Sequence, residues 1–148
     1  MTTKEEWINF LSAYPWQVFF TQTYEDQPKY ARLAIDRTWR VWRVVQIRYK
    51  LEHMFVFSVA EQHKGGAYHA HGLAMGEPNL LTLPNSLLFM WLLGREKYGI
   101  CRYESLQRIG GVVGYVSKYL VKRPAVEWDF FGDVAWAKNV KLDKKSKL

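Results

Sequence analysis

The feature that most constrains the fold of this 148-residue chain is a pair of apolar runs joined by a glycine turn. His53 to Ala60 (HMFVFSVA) is rich in β-branched and aromatic residues and predicts a strand. Lys64-Gly65-Gly66 is a turn signal, and Tyr68 to Met75 predicts the returning strand. Residues 53–75 are therefore expected to pair as an antiparallel hairpin, which has to bury its apolar face against other elements.

The flanking sequence supplies those elements. Thr3 is placed to cap a short helix carrying Trp7, Phe10 and Leu11 at helical spacing, and Pro15 ends it. Trp16 to Tyr24 (WQVFFTQTY) predicts a strand, and Asp26-Gln27-Pro28 a turn. From Ala31 to Tyr49, the residues Leu33, Ile35, Trp39, Trp42, Val45 and Ile47 alternate with arginines as a long amphipathic helix does. Residues 77–84 predict a loop. Asn85 caps an expected helix running to about Tyr98, before Gly99. Ile100 to Leu106 predicts a fourth strand. A last helix is expected from about Val112 to Lys122, ahead of Pro124, and Trp128 to Trp136 is expected to form an edge strand or to cover the core. Strands meeting by hairpin with helices between them predict an α+β fold on an antiparallel sheet. The length suits one domain spanning 1–148, with a basic tail (KLDKKSKL) expected to be flexible from about 138.

Composition narrows the partners. The formal net charge is +7, and 7 Trp, 9 Tyr and 8 Phe stand among the 148 residues. A basic balance favours polyanions, and aromatic rings offer stacking surfaces to unpaired bases. The arginines of the long helix (Arg32, Arg37, Arg40, Arg43, Arg48) fit the same reading, although charged helix faces are commonly just solvated. The single cysteine, Cys101, cannot form an internal disulfide and reads as a small buried hydrophobe in a reducing compartment. MTTKEEWINF lacks the apolar run of a signal peptide, and no stretch is apolar enough to span a bilayer, so an intracellular, cytoplasmic protein without a membrane partner is expected.

Chemistry-bearing residues gather in three places. His69-Ala70-His71 lies on the returning strand, where residues two apart share a face, so both imidazoles can reach one metal ion while Ala70 points away. Ala70, Leu73 and Met75 are that strand's expected core partners. If the glycine turn closes the hairpin, Glu61 falls opposite His69 on the same face and becomes the third ligand; His63, nearer the turn, is the alternative. Two nitrogens and a carboxylate suit Mn²⁺ or Mg²⁺, and Zn²⁺ or Co²⁺ also fit. On the last helix, Tyr115 and Tyr119 are four apart and share a face, each followed three residues later by a lysine, Lys118 and Lys122. An ammonium beside a phenol favours the phenolate or holds a phosphate, and an activated tyrosine is a covalent nucleophile. Thr21 and Thr23 share a face of the first strand, which ordinary strand propensity explains.

Taken singly, each pattern has a bland counterpart: surface histidines, an amphipathic helix, a threonine-rich strand. Taken in order, a strand of the form FxTxT, a His-hydrophobic-His strand and a Tyr-x-x-Lys helix, spread over residues 19–122, resemble the HUH endonuclease superfamily. More narrowly they resemble the rolling-circle replication initiators of plasmids and single-stranded DNA viruses. The doubled Tyr-x-x-Lys-Tyr-x-x-Lys is similar to that of the two-tyrosine initiators of small phages. The resemblance implies a ferredoxin-like (RRM-like) sandwich with about five strands. It further implies a divalent metal, Mg²⁺ or Mn²⁺, held by His69, His71 and Glu61, and attack by a tyrosine on origin DNA to leave a 5′-phosphotyrosine and a free 3′-hydroxyl. In some single-tyrosine relatives the nucleophile matches Tyr119, and an acidic residue stands at the place of Tyr115. The order of attack therefore stays open. No Gly-x-x-x-x-Gly-Lys-Ser/Thr loop is present, so unwinding and synthesis are expected from a host helicase and polymerase. Alternatives are a single-strand transposase or relaxase of the same superfamily, a non-catalytic basic binder of single-stranded DNA, and a metal-site protein without a nucleic-acid role.

Overall fold

The hairpin is the centre of the molecule. In a computed structural model, which describes residues 3–106, 109–121 and 127–141, β2 (His53–Gln62) and β3 (Tyr68–Glu77) pair antiparallel along their whole length, from His53↔Glu77 to Gln62↔Tyr68. Both strands run two residues beyond their apolar sequence. Hydrogen bonding along a continuous ladder carries on where side-chain pattern stops.

Around them stand α1 (Thr3–Leu11), β1 (Val18–Gln22), α2 (Ala31–Arg48), α3 (Ser86–Lys97), β4 (Cys101–Ser105), α4 (Ile109–Val121), β5 (Trp128–Gly132) and α5 (Val134–Val140). The strands form one antiparallel sheet in the order β4-β1-β3-β2-β5. The order β4-β1-β3-β2, with α2 and α3 as the crossovers, is the ferredoxin-like arrangement, to which β5 adds an edge. The fold is α+β, as the sequence predicts.

Several boundaries differ from the expectation. Residues 128–136 divide into β5 and the helix α5, turned at Gly132 and capped by Asp133, whose side chain accepts a hydrogen bond from the Trp136 amide. Gly132 sits at φ 112°, where only glycine is unstrained, so the strand has to end there. The expected loop before α3 contains a single 3₁₀ turn, Leu80–Thr82. Asn85 precedes α3 in the left-handed conformation and makes no side-chain cap. The basic tail from 142 and Lys122 lie outside the described residues.

Period-two alternation sorts the sheet residues between two cores. Val18, Phe20, Val56 and Ala74 pack with Trp42 and Val45 of α2 and Met90 of α3. Phe55, Phe57, Leu73 and Met75 pack on the opposite face against Leu11 of α1 and Val113 and Val116 of α4. His69 and His71 share the strand face of Leu73 and Met75, while Ala70 is buried on the α2 side. The arginine-bearing helix α2 therefore lies across the sheet from the histidines. Two of its arginines are held in structural pairs: Arg32 with Asp36 and Asp129, and Arg37 bidentate with Asp26 at 2.6 Å. Cys101 is buried, and burial pushes its thiol up to about 11, which fits an inert core residue.

One glycine of the triplet's strand is obligatory for packing. A Cβ on Gly72 would collide with the Phe57 carbonyl oxygen and with the Phe20 ring, because Phe20, its partner on β1, folds its ring over the vacant position. Gly72→Ala is accordingly expected to destabilise the fold by about 3 kcal/mol or more, read as a shift in the denaturant midpoint. A variant within about 0.5 kcal/mol of the parent would contradict this packing.

Candidate metal and tyrosine site

The register of the central strands collects the site. Glu61 pairs directly with His69, the alignment that the glycine turn predicts. Further along the hairpin, a row crosses the sheet: Arg102 of β4, Thr21 of β1, His71 of β3 and Val59 of β2. His71 is only 6% exposed, so it is a buried group on a central strand and not a surface histidine. Buried polar atoms need partners, and both of its nitrogens have them. Nδ1 lies 3.0 Å from the Thr21 hydroxyl, and Nε2 lies 3.3 Å from a carboxylate oxygen of Glu61.

The same Glu61 oxygen is 3.2 Å from Nε2 of His63, and the rings of His63 and His69 are 3.7 Å apart between centroids. All four side chains thus crowd one end of the hairpin. Both candidates for a third donor are present, and Glu61 links His63 to His71. Among the described residues, no group of three His, Cys, Asp or Glu side chains stands ready-arranged around one point. The pairwise spacings are nonetheless those of neighbouring ligands, since donors about 2.1 Å from an ion and at right angles stand about 3 Å apart.

Thr21 has a role that strand propensity alone does not disclose. Propensity accounts for a threonine here, but register brings it against the histidine. With the imidazole neutral and its proton on Nδ1, that N–H donates to the Thr21 hydroxyl, and Nε2 keeps its lone pair on the Glu61 side. Thr23 lies beyond the end of β1, and its hydroxyl bonds to the Ile100 carbonyl instead.

The helix α4 crosses this face and brings Tyr115 to the site. Its ring meets His71 edge-on at 6.5 Å and Phe19 edge-on at 6.1 Å, and it is 44% exposed. The Lys118 ammonium sits over the Tyr115 ring, 4.1 Å from its centre. Tyr119 follows one turn later on the same helix. Beside Tyr115 a groove of about 320 Å³ is lined by Phe19, Thr21, Arg102, Glu104, Val112 and Tyr115. Nothing in the sequence singles out Arg102 or Glu104, because only the β1–β4 pairing brings them here.

Electrostatics favour neutral imidazoles. Burial holds His71 below the ordinary histidine range, more strongly than the Glu61 carboxylate supports its charge. His69 is lowered too, first by burial and then by His63 and His71. Neutral histidine is the metal-binding form. The folded chain therefore binds fewer protons than the unfolded one once pH falls through about 6.5. These two histidines leave stability unchanged above that range and lower it below. The melting temperature should hold between about pH 8 and 7 and decline toward about pH 5.5, and the double variant His69→Gln/His71→Gln should flatten the decline. A parent protein whose melting temperature is constant over that range would contradict the assignment.

Among the described residues no helix is long and apolar enough to cross a membrane. None of the curated proteins and none of the solved structures gives a significant match. The model of one family, described as replication-associated protein of the ORF2 type, matches residues 17–124, a span that holds β1 through α4 and every group of the site. The chain belongs to this family of replication-associated proteins.

Proposed function

We propose that the protein initiates rolling-circle replication as a metal-dependent, site-specific endonuclease of single-stranded DNA that also rejoins strands. The observation that carries this reading is Tyr115 facing His71 across the gap between α4 and β3. A nucleophile stands beside a buried, oriented imidazole and a carboxylate, in a chain that belongs to a replication-associated family. The resemblance of the motifs to HUH initiators supports the same chemistry.

His71, His69 and Glu61 are the residues that would hold Mg²⁺ or Mn²⁺, with His63 as the alternative third donor. The donor set fits: two neutral nitrogens and one carboxylate on one strand face leave positions for phosphate oxygens and water. Completing the set takes side-chain rotation at the hairpin end and no change in strand register. When bound, the ion acts as a Lewis acid on a phosphoryl oxygen.

The chain's own residues do the rest. Tyr115 Oη attacks the scissile phosphorus and gives up its proton. The bond from phosphorus to the 3′-oxygen breaks, and that oxygen takes a proton to become the 3′-hydroxyl. The 5′ end is then held as a phosphotyrosine ester. Lys118 lies against the tyrosine, where its charge offsets negative charge gathering at the phosphate. Attack by a hydroxyl on the phosphotyrosine reverses the step and rejoins DNA, so no nucleotide cofactor is consumed. Tyr119, one turn along α4, is the second nucleophile of a two-tyrosine cycle, with Lys122 in the role of Lys118. The free 3′-hydroxyl primes a host polymerase, and a host helicase opens the duplex. Membership of a replication-associated family favours origin DNA over transposon ends as substrate.

A labelled single-stranded origin oligonucleotide incubated with Mn²⁺ should yield a covalent adduct on a denaturing gel. Tyr115→Phe and Tyr119→Phe together should abolish it, and each alone assigns its share. His71→Ala should lower adduct formation at least about 100-fold, near 2.7 kcal/mol, while retaining most electrostatic binding. Binding of DNA with no adduct on any origin sequence would replace this reading with that of a non-catalytic single-strand binder.

A further inference from the structure

The groove beside Tyr115 has a chemistry that cleavage alone does not call for. β4 is an edge strand, and Arg102 and Glu104 project from it on the same face, two residues and about 6.6 Å apart. They pair across the ladder with Thr21 and Phe19, so each stands next to a residue of the site's own wall. Both are exposed, and no ion pair engages either among the described residues, unlike Arg32 and Arg37 on the far side of the sheet. Phe19, Val112 and Tyr115 supply the apolar part of the lining.

A site for a bare anion would not carry Glu104, whose carboxylate repels phosphate. A simple stacking platform would not need Arg102. Together the lining matches a ligand with one anionic end, one flat apolar body and one edge of hydrogen-bond donors. An unpaired nucleotide has that make-up. A carboxylate accepts but does not donate, so it selects bases that offer N–H groups side by side. Guanine presents two on one edge, its ring N–H and its amino group, whereas the other bases present fewer adjacent donors.

We propose that the groove between α4 and β4 is a subsite for one unpaired nucleotide next to the scissile phosphate, with Arg102 on its phosphate and Glu104 selecting guanine. This rests on single-stranded DNA being the substrate, and it adds a base preference and the residues that set it. Thr21 borders both this groove and His71, so the bound nucleotide and the candidate metal site share one wall.

The test is equilibrium binding in chelator-containing buffer, where no cleavage occurs. Fluorescein-labelled thymidine decamers carry at the centre a guanine, an adenine, a cytosine, a thymine or an abasic site. The parent should bind the guanine probe at least about fivefold more tightly than the all-thymine probe. Glu104→Gln should remove that preference while still binding all probes. Arg102→Gln should weaken every probe alike and reduce the slope of log affinity against log salt by about 0.7, one single-strand phosphate contact. Both side chains are exposed, so circular dichroism and melting should match the parent. Equal binding of all five probes by the parent, a guanine preference that survives Glu104→Gln, or an unchanged salt slope in Arg102→Gln would each overturn the subsite. Adduct formation with Mn²⁺, measured separately on the parent, separates the outcomes. Adducts without base preference sink the subsite alone, and base preference without adducts sinks the cleavage reading alone.

Discussion

The pairing of β2 with β3 decides almost everything else in this molecule. A side-chain period of two means that a one-residue slip would turn every residue of the hairpin to the other face. In the observed register Glu61 stands against His69, and Val59 against His71. Leu73 and Met75 then fall on the α1/α4 core, and Ala70 and Ala74 on the α2 side. The apolar packing that stabilises the sheet and the polar cluster at its end are therefore selected together. Any shift that broke the cluster would also expose Leu73 and Met75 to the wrong layer.

This coupling explains how buried polar groups are tolerated so close to the core. An imidazole as enclosed as His71 costs free energy unless it is paired. Thr21 on one side and Glu61 on the other supply the partners, both from adjacent strands whose backbones are already fixed. The site needs no loop to order it, and its orienting groups sit on rigid elements. Tyr115 comes from a different source, a helix that packs Val113 and Val116 into the same core, so its phenol is set by the helix's apolar contacts. Strand and helix meet at this face.

The two faces of the sheet divide the labour. The α2 face holds the crossover helices and the arginines, several of which are engaged by Asp26, Asp36, Asp129 and aromatic rings. The opposite face carries the histidines, the tyrosine and the groove with Arg102. Net positive charge in the composition is thus no guide to where an anionic strand would lie. Arg102 on an edge strand is placed for that role, and the more conspicuous arginine helix is not.

What the sequence by itself determined is the local chemistry: the hairpin, its glycine turn, the His-Ala-His alternation and the tyrosine spacing on a helix. These are legible because strand and helix periods are short-range and the turn residues are specific. Residues 128–136 depart from the expected edge strand because the helix α5 after Gly132 depends on a turn with positive φ and on an Asp133 cap, neither of which strand propensity reveals. Only the tertiary structure decided that Thr21 orients His71, that Arg102 and Glu104 border Tyr115, and that the arginine helix lies on the far side. Those relations join residues some 50 to 80 positions apart through the pairing of β1 with β3 and β4, and long-range register is set by burial on both faces of a sheet, which no local pattern contains.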